Sequence, residues 1–247
     1  MREQGTGLLR SIHRHAVYPL VVRARGEGAV FRRLAELRAI ERLPADRLTE
    51  RQDRRLAAIL EHAARRSPYY RARWGELRDV DARFARERLA DLPFVTKADV
   101  QHSFREMLAV PGPRRVTAKV TGGSTGQAVT VVKNRSAIAA EMAASWLGYG
   151  WYGVRIGDRA VRFWGQPDSW KRRLRFAAAD FAMHRIRFSA FAFDDADLER
   201  YWRRCLAFRP DYFYGYVSML EAFARFLERT GRDGARLGLK VVITTSE

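Results

Sequence analysis

Residues 116–133 read VTAKVTGGSTGQAVTVVK, in which the segment TGGSTG lies between two runs rich in β-branched residues. The pattern predicts two strands, 116–120 and 129–132, joined by a loop. Glycines permit positive φ and leave backbone N–H groups unobstructed, while the hydroxyls of the loop add further donors. The loop could bind an anion, of which phosphate is the most obvious candidate. It could equally form an ordinary turn, because Gly, Ser and Thr also dominate turns.

Two sharper motifs can be tested on this loop. The phosphate-binding pattern G-x-x-x-x-G-K-[ST] does not fit, because no lysine follows Gly126 and no helix is predicted there. The serine-hydrolase pattern G-x-S-x-G fits at Gly122, Ser124 and Gly126, but it requires a helix directly after the nucleophile. Residues 127–132 are too β-branched for a helix, and His184 is the only histidine downstream to act as the base. A serine hydrolase that uses Ser124 therefore stays as an alternative.

The pattern of apolar and polar residues changes near residue 110. Before it, apolar residues recur at helical spacing among arginines and glutamates, Ser67 and Pro68 break one helix, and Thr96 with Asp99 predicts a capping box before a helix to about residue 108. After it, the pattern predicts strands at 160–164, 185–193 and 240–245 and helices at 136–149, 194–208 and 217–230. The alternation is typical of an α/β sheet. The predicted domains are 1–110, mainly helical, and 111–247, α/β.

The net charge and the cysteine content limit the classes of function that the sequence allows. The net charge is +18, which leaves a basic nucleic-acid or membrane-surface binding protein as an alternative. The excess is spread along the chain and is almost all arginine, so we interpret it as solvated surface charge and expect no nucleic-acid partner. A single cysteine, Cys205, excludes an internal disulfide framework and favours a reducing cytoplasm. Residues 142–154 are too short an apolar run for an integral membrane segment.

Several residues that could suggest a function have a simpler structural explanation. The basic segment 7–26 is expected to be a helix that docks on the protein's own surface rather than on a membrane. The acidic residues at 194, 195 and 197 suit a helix N-terminus, Cys205 suits a buried position, and His13 with His15 lacks acidic co-ligands for a metal site. Most aromatic residues of 146–153 are expected to be core.

The loop and its flanking strands resemble the phosphate-binding segment of the AMP-forming adenylating enzymes, the acyl-CoA synthetase superfamily, whose consensus is Thr-Ser-Gly-Ser-Thr-Gly. Other segments, in the same order and at the expected separations, are similar to its phenylacetate–CoA ligase and CapK-like branch. Within residues 50–247 these segments read ILEHAARRSPYYRARW, LPFVTKADVQ, GVRIGDRAVRFWG, RPDYFYGYVSMLEAFARFL and KVVITTSE. The resemblance implies an α/β fold in which a helical N-terminal region precedes the first part of a large adenylation domain with a mixed sheet, incomplete at its C-terminus.

The resemblance also implies a two-step ligase reaction. A carboxylate attacks the α-phosphate of ATP to give an acyl-adenylate and pyrophosphate, and a thiol, usually of coenzyme A, then takes the acyl group. Glu247 ends the strand that leads into the adenine site, and an aryl or alkyl carboxylic acid would lie beside Tyr214, Gly215 and Tyr216. Carried over by position, the residues that hold the β- and γ-phosphates, with Mg²⁺ bridging phosphate oxygens, are Thr121, Gly122, Gly123, Ser124, Thr125 and Gly126.

This sequence departs from the superfamily pattern in two ways. Gly122 stands where serine is commoner, and Gln127-Ala128 lacks the usual proline, so one hydroxyl donor and some loop stiffness are missing. The later acidic metal motif, the ribose-binding aspartate and the adenylation lysine would all follow residue 247. We therefore expect no catalytic residue and no metal ligand within the chain, and little or no adenylating activity from it alone. The resemblance further implies capsular or envelope polysaccharide biosynthesis, and it is compatible with a homodimer.

Overall fold

The computed structural model describes residues 2–74, 81–110, 112, 116–120, 128–165, 170–191 and 193–245. The chain forms two compact units, one made of Met1–Phe31 with Met142–Glu247 and the other of Arg32–Glu141. The first unit contains a four-stranded sheet and the second contains a two-stranded one. The domain boundaries expected from the sequence, 1–110 and 111–247, divide the chain differently and stay a prediction.

Helices and strands alternate through the second half of the chain, which confirms the predicted α/β class. In chain order the elements are α1 (Arg2–Ile12), a π-helical turn (His13–Val17), α2 (Tyr18–Ala24), α3 (Val30–Ile40), α4 (Ala45–Arg66), α5 (Pro68–Trp74), a 3-10 turn (Ala82–Phe84), α6 (Ala85–Ala90), α7 (Lys97–His102), β1 (Val116–Val120), β2 (Thr130–Asn134), α8 (Arg135–Trp151), β3 (Ala160–Trp164), α9 (Trp170–Ala182), β4 (Arg185–Ser189), α10 (Asp195–Phe208), β5 (Tyr212–Tyr216), α11 (Val217–Arg229), a second 3-10 turn (Gly234–Leu237) and β6 (Val241–Thr245).

Local side-chain chemistry sets the helix ends in the second unit. α4 ends where Ser67 becomes extended ahead of a proline, because the residue before proline is driven out of the helical region. At the start of α7 the Thr96 hydroxyl accepts from the Asp99 N–H, and the Asp99 carboxylate accepts from the Thr96 N–H at 2.8 Å. The predicted capping box is thereby confirmed. The helix is shorter than predicted because Ser103 leaves the helical conformation.

The sheet of the first unit has the strand order β4-β3-β5-β6, and all neighbouring pairs are parallel. Helical crossovers α9, α10 and α11 connect the strands, as parallel pairing requires. The chain passes from β3 to β4 on one side and later from β5 to β6 on the other, so the strand order reverses between β3 and β5. In open parallel sheets, ligands bind at the carboxyl ends of the strands where the order reverses. A ligand-binding site in this unit is therefore expected at this edge.

Alternation along the strands separates the two faces of this sheet. Val161 and Phe163 of β3 and Phe213 of β5 belong to a core with α10 and α11. Phe163 has no exposed surface, and its ring centroid lies 5.2 Å from Phe213, 5.6 Å from Phe188 and 5.6 Å from Phe223. Burying each of these rings stabilises the fold by roughly 1.5–3 kcal/mol. The intervening residues of both strands lie on the opposite face, where the candidate site is found.

Two elements, α9 and β5, are not predicted by the sequence pattern. The β5 segment YFYGY has aromatic residues that favour a strand, but its fourth residue is a glycine, which weakens the strand signal. Tertiary pairing overrides that weakness, because β5 pairs with β3 on one side and with β6 on the other. The strand predicted at 185–193 is also too long, since β4 ends at Ser189.

The basic N-terminal segment docks on its own unit, as predicted. Tyr18 and Val22 are buried at 2% exposure, and the Trp146 indole N–H donates to the Tyr18 hydroxyl at 2.7 Å. Burial raises the pKa of Tyr18 to about 12, so its hydroxyl stays neutral. The Arg10 guanidinium donates to the buried Asp211 carboxylate at 2.7 Å. α1 and α2 are thus part of the scaffold. Within the described residues, no helix combines the length and apolar character needed to cross a membrane.

Cys205 is buried in α10, as predicted, and it should be chemically silent in the folded protein. The residue has no exposed surface, and burial raises the pKa of its thiol to about 12. Because the thiolate is the reactive form, we expect native protein to resist an aromatic disulfide reagent and denatured protein to react stoichiometrically. Release of the coloured thiol, followed with and without guanidinium chloride, measures this. Fast reaction of the native chain would show that the packing of α10 on the core does not cover the thiol.

Candidate functional site

The TGGSTG loop connects two strands that pair with each other. β1 and β2 are antiparallel, with Val120 opposite Thr130 next to the loop and Val116 opposite Asn134 at the far end. The predicted hairpin is confirmed, with its second strand starting one residue later than expected. The predicted phosphate-binding residues lie outside the described residues, so their role stays a prediction: Thr121, Gly122, Gly123, Ser124, Thr125 and Gly126.

Side chains from two helices contact this hairpin. The Gln101 amide of α7 donates to the Ala128 carbonyl at 3.0 Å, just after the loop. The Glu141 carboxylate of α8 accepts a hydrogen bond from Lys133 of β2 at 2.7 Å and lies 3.5 Å from the ammonium nitrogen of Lys119 of β1. The hydrogen bond from Lys133 lowers the pKa of Glu141. One carboxylate thus joins both strands that carry the loop.

The Glu141 contact should make hairpin stability weakly dependent on pH. The folded pKa is below the ordinary value, so the stabilisation is present at neutral pH and is lost as the pH falls through the folded pKa. The side chain is 47% exposed, and solvent screening limits the effect. We expect Glu141→Gln to cost no more than about 1 kcal/mol at neutral pH and nothing in acid. Urea unfolding at both pH values measures this, and an equal cost at both would contradict the ion-pair explanation.

The strand after the loop argues against the serine-hydrolase alternative. A nucleophile elbow needs a helix there, and residues 130–134 form β2 instead. The proposed base is also engaged elsewhere: His184 Nδ1 lies 2.6 Å from the Gly157 carbonyl oxygen, and its ring stacks on His13 at 3.9 Å. Burial lowers the pKa of His184. The histidine has a packing role at the amino end of β4.

The predicted acyl-side residues Tyr214, Gly215 and Tyr216 lie at the carboxyl end of β5, beside the reversal of strand order. Trp164, the last residue of β3, stacks on the Tyr216 ring at 4.4 Å and 17° and on the Tyr214 ring at 5.6 Å and 14°. Phe191, which follows β4, lies 5.4 Å from Tyr216. Rings in contact at these separations form one aromatic wall at the carboxyl end of the sheet.

One arginine lies among these rings. The Arg162 guanidinium carbon is 4.3 Å from the Trp164 ring centroid and 5.4 Å from that of Tyr214. Burial, and after it the neighbouring Arg185 and Arg187, lower the pKa of Arg162 to about 10, so the group remains a cation at neutral pH. Its Nε is buried without a hydrogen-bond partner in the described part of the chain. The aromatic wall therefore carries a permanent positive charge.

Helix α8 contributes to the same face of the sheet. The Tyr149 ring lies 5.9 Å from Tyr212 and 6.4 Å from Tyr214. Burial raises the pKa of Tyr149 to about 12, so it presents a neutral phenol. The prediction that residues 146–153 are mostly core holds for Trp146 and fails for Trp151 and Tyr152, which are 67% and 63% exposed.

Sequence reasoning did not identify Trp164 and Arg162 as site residues. Both lie in β3, in which they alternate with the core residues Val161 and Phe163. Because successive side chains of a strand point to opposite faces, this alternation could have placed Arg162 and Trp164 on the face away from the core. Glu247, predicted at the adenine side, lies outside the described residues. The strand before it, β6, pairs with β5 so that Thr245 is opposite Tyr216.

No protein-family profile and no curated protein sequence matches the chain. Solved structures do match it. An open conformation of 2-hydroxyisobutyryl-CoA ligase in complex with 2-HIB-AMP and CoA has a TM-score of 0.59 and 20% identity over 83% of this chain and 49% of that one. The same ligase in the postadenylation state, in complex with 2-HIB-AMP, has a TM-score of 0.58 and 20% identity over 83% and 44%. The chain thus has the acyl-CoA ligase fold, and it spans about half the length of the ligases that it matches.

Proposed function

We propose that this chain is the nucleotide- and acid-binding portion of an AMP-forming acid–CoA ligase. The observation that carries the proposal is the antiparallel pairing of β1 with β2, which sets TGGSTG between strands in a chain with the acyl-CoA ligase fold. A matching ligase structure contains 2-HIB-AMP and CoA, which supports the use of ATP and coenzyme A.

In the proposed first step, the substrate carboxylate attacks the α-phosphorus of ATP and pyrophosphate leaves. Negative charge builds on the phosphate oxygens, and the main-chain N–H groups and hydroxyls of residues 121–126 would stabilise it. Gly123 would allow close approach of the backbone, and Ser124 and Thr125 would donate from their hydroxyls. In the second step, the CoA thiolate attacks the acyl carbon and AMP leaves. Glu247 is proposed for the adenine side.

In this proposal Mg²⁺ would bind together with the nucleotide and would neutralise phosphate charge. The described residues hold no group of three or more His, Cys, Asp or Glu that could bind a metal ion. The hydroxyls and amides of TGGSTG suit phosphate oxygens, and Mg²⁺ is commonly held through substrate phosphates with few protein ligands. The metal would supply charge neutralisation, while the loop positions the nucleotide.

For the acid, we propose an aryl or alkyl carboxylate packed on the wall formed by Trp164, Tyr214 and Tyr216. Stacked aromatic rings favour an aryl group. This substrate class agrees with the sequence resemblance to the phenylacetate–CoA ligase and CapK-like branch. A part in capsular or envelope polysaccharide biosynthesis, a cytoplasmic location, the absence of a nucleic-acid partner and a homodimer are further proposals from the sequence.

Nucleotide protection against heat tests the proposed function. We expect ATP with Mg²⁺, at about 100 times its dissociation constant, to stabilise the chain by about 2.7 kcal/mol. Gly123→Val should abolish this protection because its side chain blocks backbone approach, and Ser124→Ala should reduce it. The control is Thr117→Ala, which removes a hydroxyl from the exposed strand β1 and should retain full protection. Scanning calorimetry measures all four proteins. No protection of the unmodified chain, or equal protection of Gly123→Val, would contradict the proposal.

A further inference from the structure

A cavity of about 730 Å³ lies along the outer edge of β4 in the first unit. β4 pairs with β3 alone among the described strands, so no strand covers its other edge. Side chains of α9 and α10 flank this edge, and His13 and His184 lie at its amino end. The apolar part of the lining consists of Leu9, Phe176, Ala177, Phe181, Ile186 and Phe208.

The polar part of the lining is strongly basic. The lining contains a single carboxylate, that of Asp180, and four guanidinium groups. The guanidinium groups belong to Arg173, Arg185, Arg187 and Arg204. Asp180 is 9% exposed and accepts hydrogen bonds from Arg185 Nε at 2.5 Å and from Arg187 Nη2 at 2.9 Å. One carboxylate cannot neutralise two guanidinium groups. A net positive charge therefore remains at this wall of the cavity.

Hydrogen bonding at the same wall is also incomplete. The Arg187 side chain is 5% exposed, and its Nη1 is buried without a hydrogen-bond partner among the described residues. A buried cationic donor without an acceptor is unfavourable. Asp180 alone thus supplies too little negative charge and too few acceptor atoms for this wall, and an oxyanion would supply both together.

We propose that this cavity binds a small amphipathic anion, with a carboxylate or phosphate head against Arg185 and Arg187 and an apolar body along Phe176, Phe181 and Phe208. The volume falls within the range of about 300–1,000 Å³ that is typical of ligand sites. Arginine forks suit both kinds of head group. The cavity uses the first residues of β4, whereas the aromatic wall lies at the carboxyl ends of β3 and β5. It is a second site, separate from the proposed acid site.

Calorimetric titration of the full chain tests the proposal with four probes: hexyl phosphate, hexanoate, inorganic phosphate and hexanol. We expect saturable one-to-one binding of at least one amphipathic anion, and binding at least about tenfold weaker for inorganic phosphate and for hexanol. Absence of binding by both anions would overturn the proposal, as would equally tight binding of either control probe. The stronger of the two anions identifies the head group.

Two variants on the same helix locate the binding. Phe181 and Leu174 of α9 are each 67% exposed, but only Phe181 is part of the cavity lining. Phe181→Glu should weaken binding of the anion at least about tenfold, because it places a like charge at the site, while Leu174→Glu should change it less than about twofold. Arg187→Met should abolish binding, and its circular dichroism spectrum checks that it folds. Equal loss in the two glutamate variants would show that binding depends on general charge and would overturn the proposal.

Discussion

Replacement of Gly215 is expected to be the most damaging single change in the parallel sheet. A Cβ atom at this position would lie 2.6 Å from the Phe163 Cβ and 2.8 Å from the Phe163 carbonyl oxygen. These atoms belong to the neighbouring strand and cannot rotate away, so β3 and β5 would have to separate. We expect Gly215→Ala to cost about 3 kcal/mol, and Gly215→Val to prevent folding of the sheet. The stacking of Trp164 on Tyr216 would be lost with it.

The matched control is Gly148→Ala, in α8. A Cβ added at Gly148 meets nothing within 4 Å, and alanine in a helix interior is favoured over glycine by about 0.5–1 kcal/mol. Urea unfolding followed by circular dichroism compares the two variants with the unmodified protein. We expect opposite signs for the two alanine substitutions. A Gly215→Ala protein as stable as the unmodified one would contradict the register in which Gly215 is opposite Phe163.

Removal of the Asp211 carboxylate is the second large effect that we expect. Asp211 is 5% exposed, and it accepts hydrogen bonds from Arg10 Nη2 at 2.7 Å and from the Arg159 N–H at 2.8 Å. Burial and the nearby Arg10 lower the pKa of Arg159, whose Nε lies 3.9 Å from the Asp211 carboxylate, so Asp211 faces two cations. Asp211→Ala leaves them unpaired, and breaking a buried ion pair from one side costs about 3–5 kcal/mol.

An exposed ion pair provides the control for this prediction. Asp195 accepts from Arg229 at 2.8 Å, but its side chain is 63% exposed, so Asp195→Ala should change stability far less. Because Arg10 belongs to α1, Asp211→Ala should also loosen the N-terminal helices. Limited proteolysis should then cleave near residue 25 in this variant before the rest of the unit unfolds. Equal stability losses in the two variants would refute the assigned difference in burial.

Elements with local signals were predicted most accurately. Asp194 and Asp197 predicted the start of α10, and the structure confirms a complete capping box, with the Asp197 N–H donating to Asp194 at 2.8 Å. The strand predicted at 160–164 matches β3. The hairpin around TGGSTG was predicted because β-branched residues flank a glycine-rich turn. In each case the information lies within a few neighbouring residues.

The candidate site was predicted less completely. The family resemblance pointed to Tyr214 and Tyr216, but it gave no reason to connect them with Trp164 or Arg162, more than 45 positions earlier in the chain. Those four side chains meet because β3 and β5 are parallel neighbours with Arg162 opposite Tyr214. Strand order and register are not encoded in any short segment, so pattern reasoning could not bring these residues together.

The amino-acid sequence by itself determined the local features of this protein: the capped helix starts, the hairpin strands on either side of TGGSTG, the break at Ser67 and the burial of Cys205. Only the tertiary structure decided that YFYGY is a central strand, that aromatic residues meet at the reversal of strand order, and that the edge of β4 carries unbalanced arginine charge. The physical reason is the separation along the chain of the residues that interact. Turn chemistry, capping and alternation act between near neighbours, whereas strand pairing and the desolvation of charges depend on segments that meet only after folding.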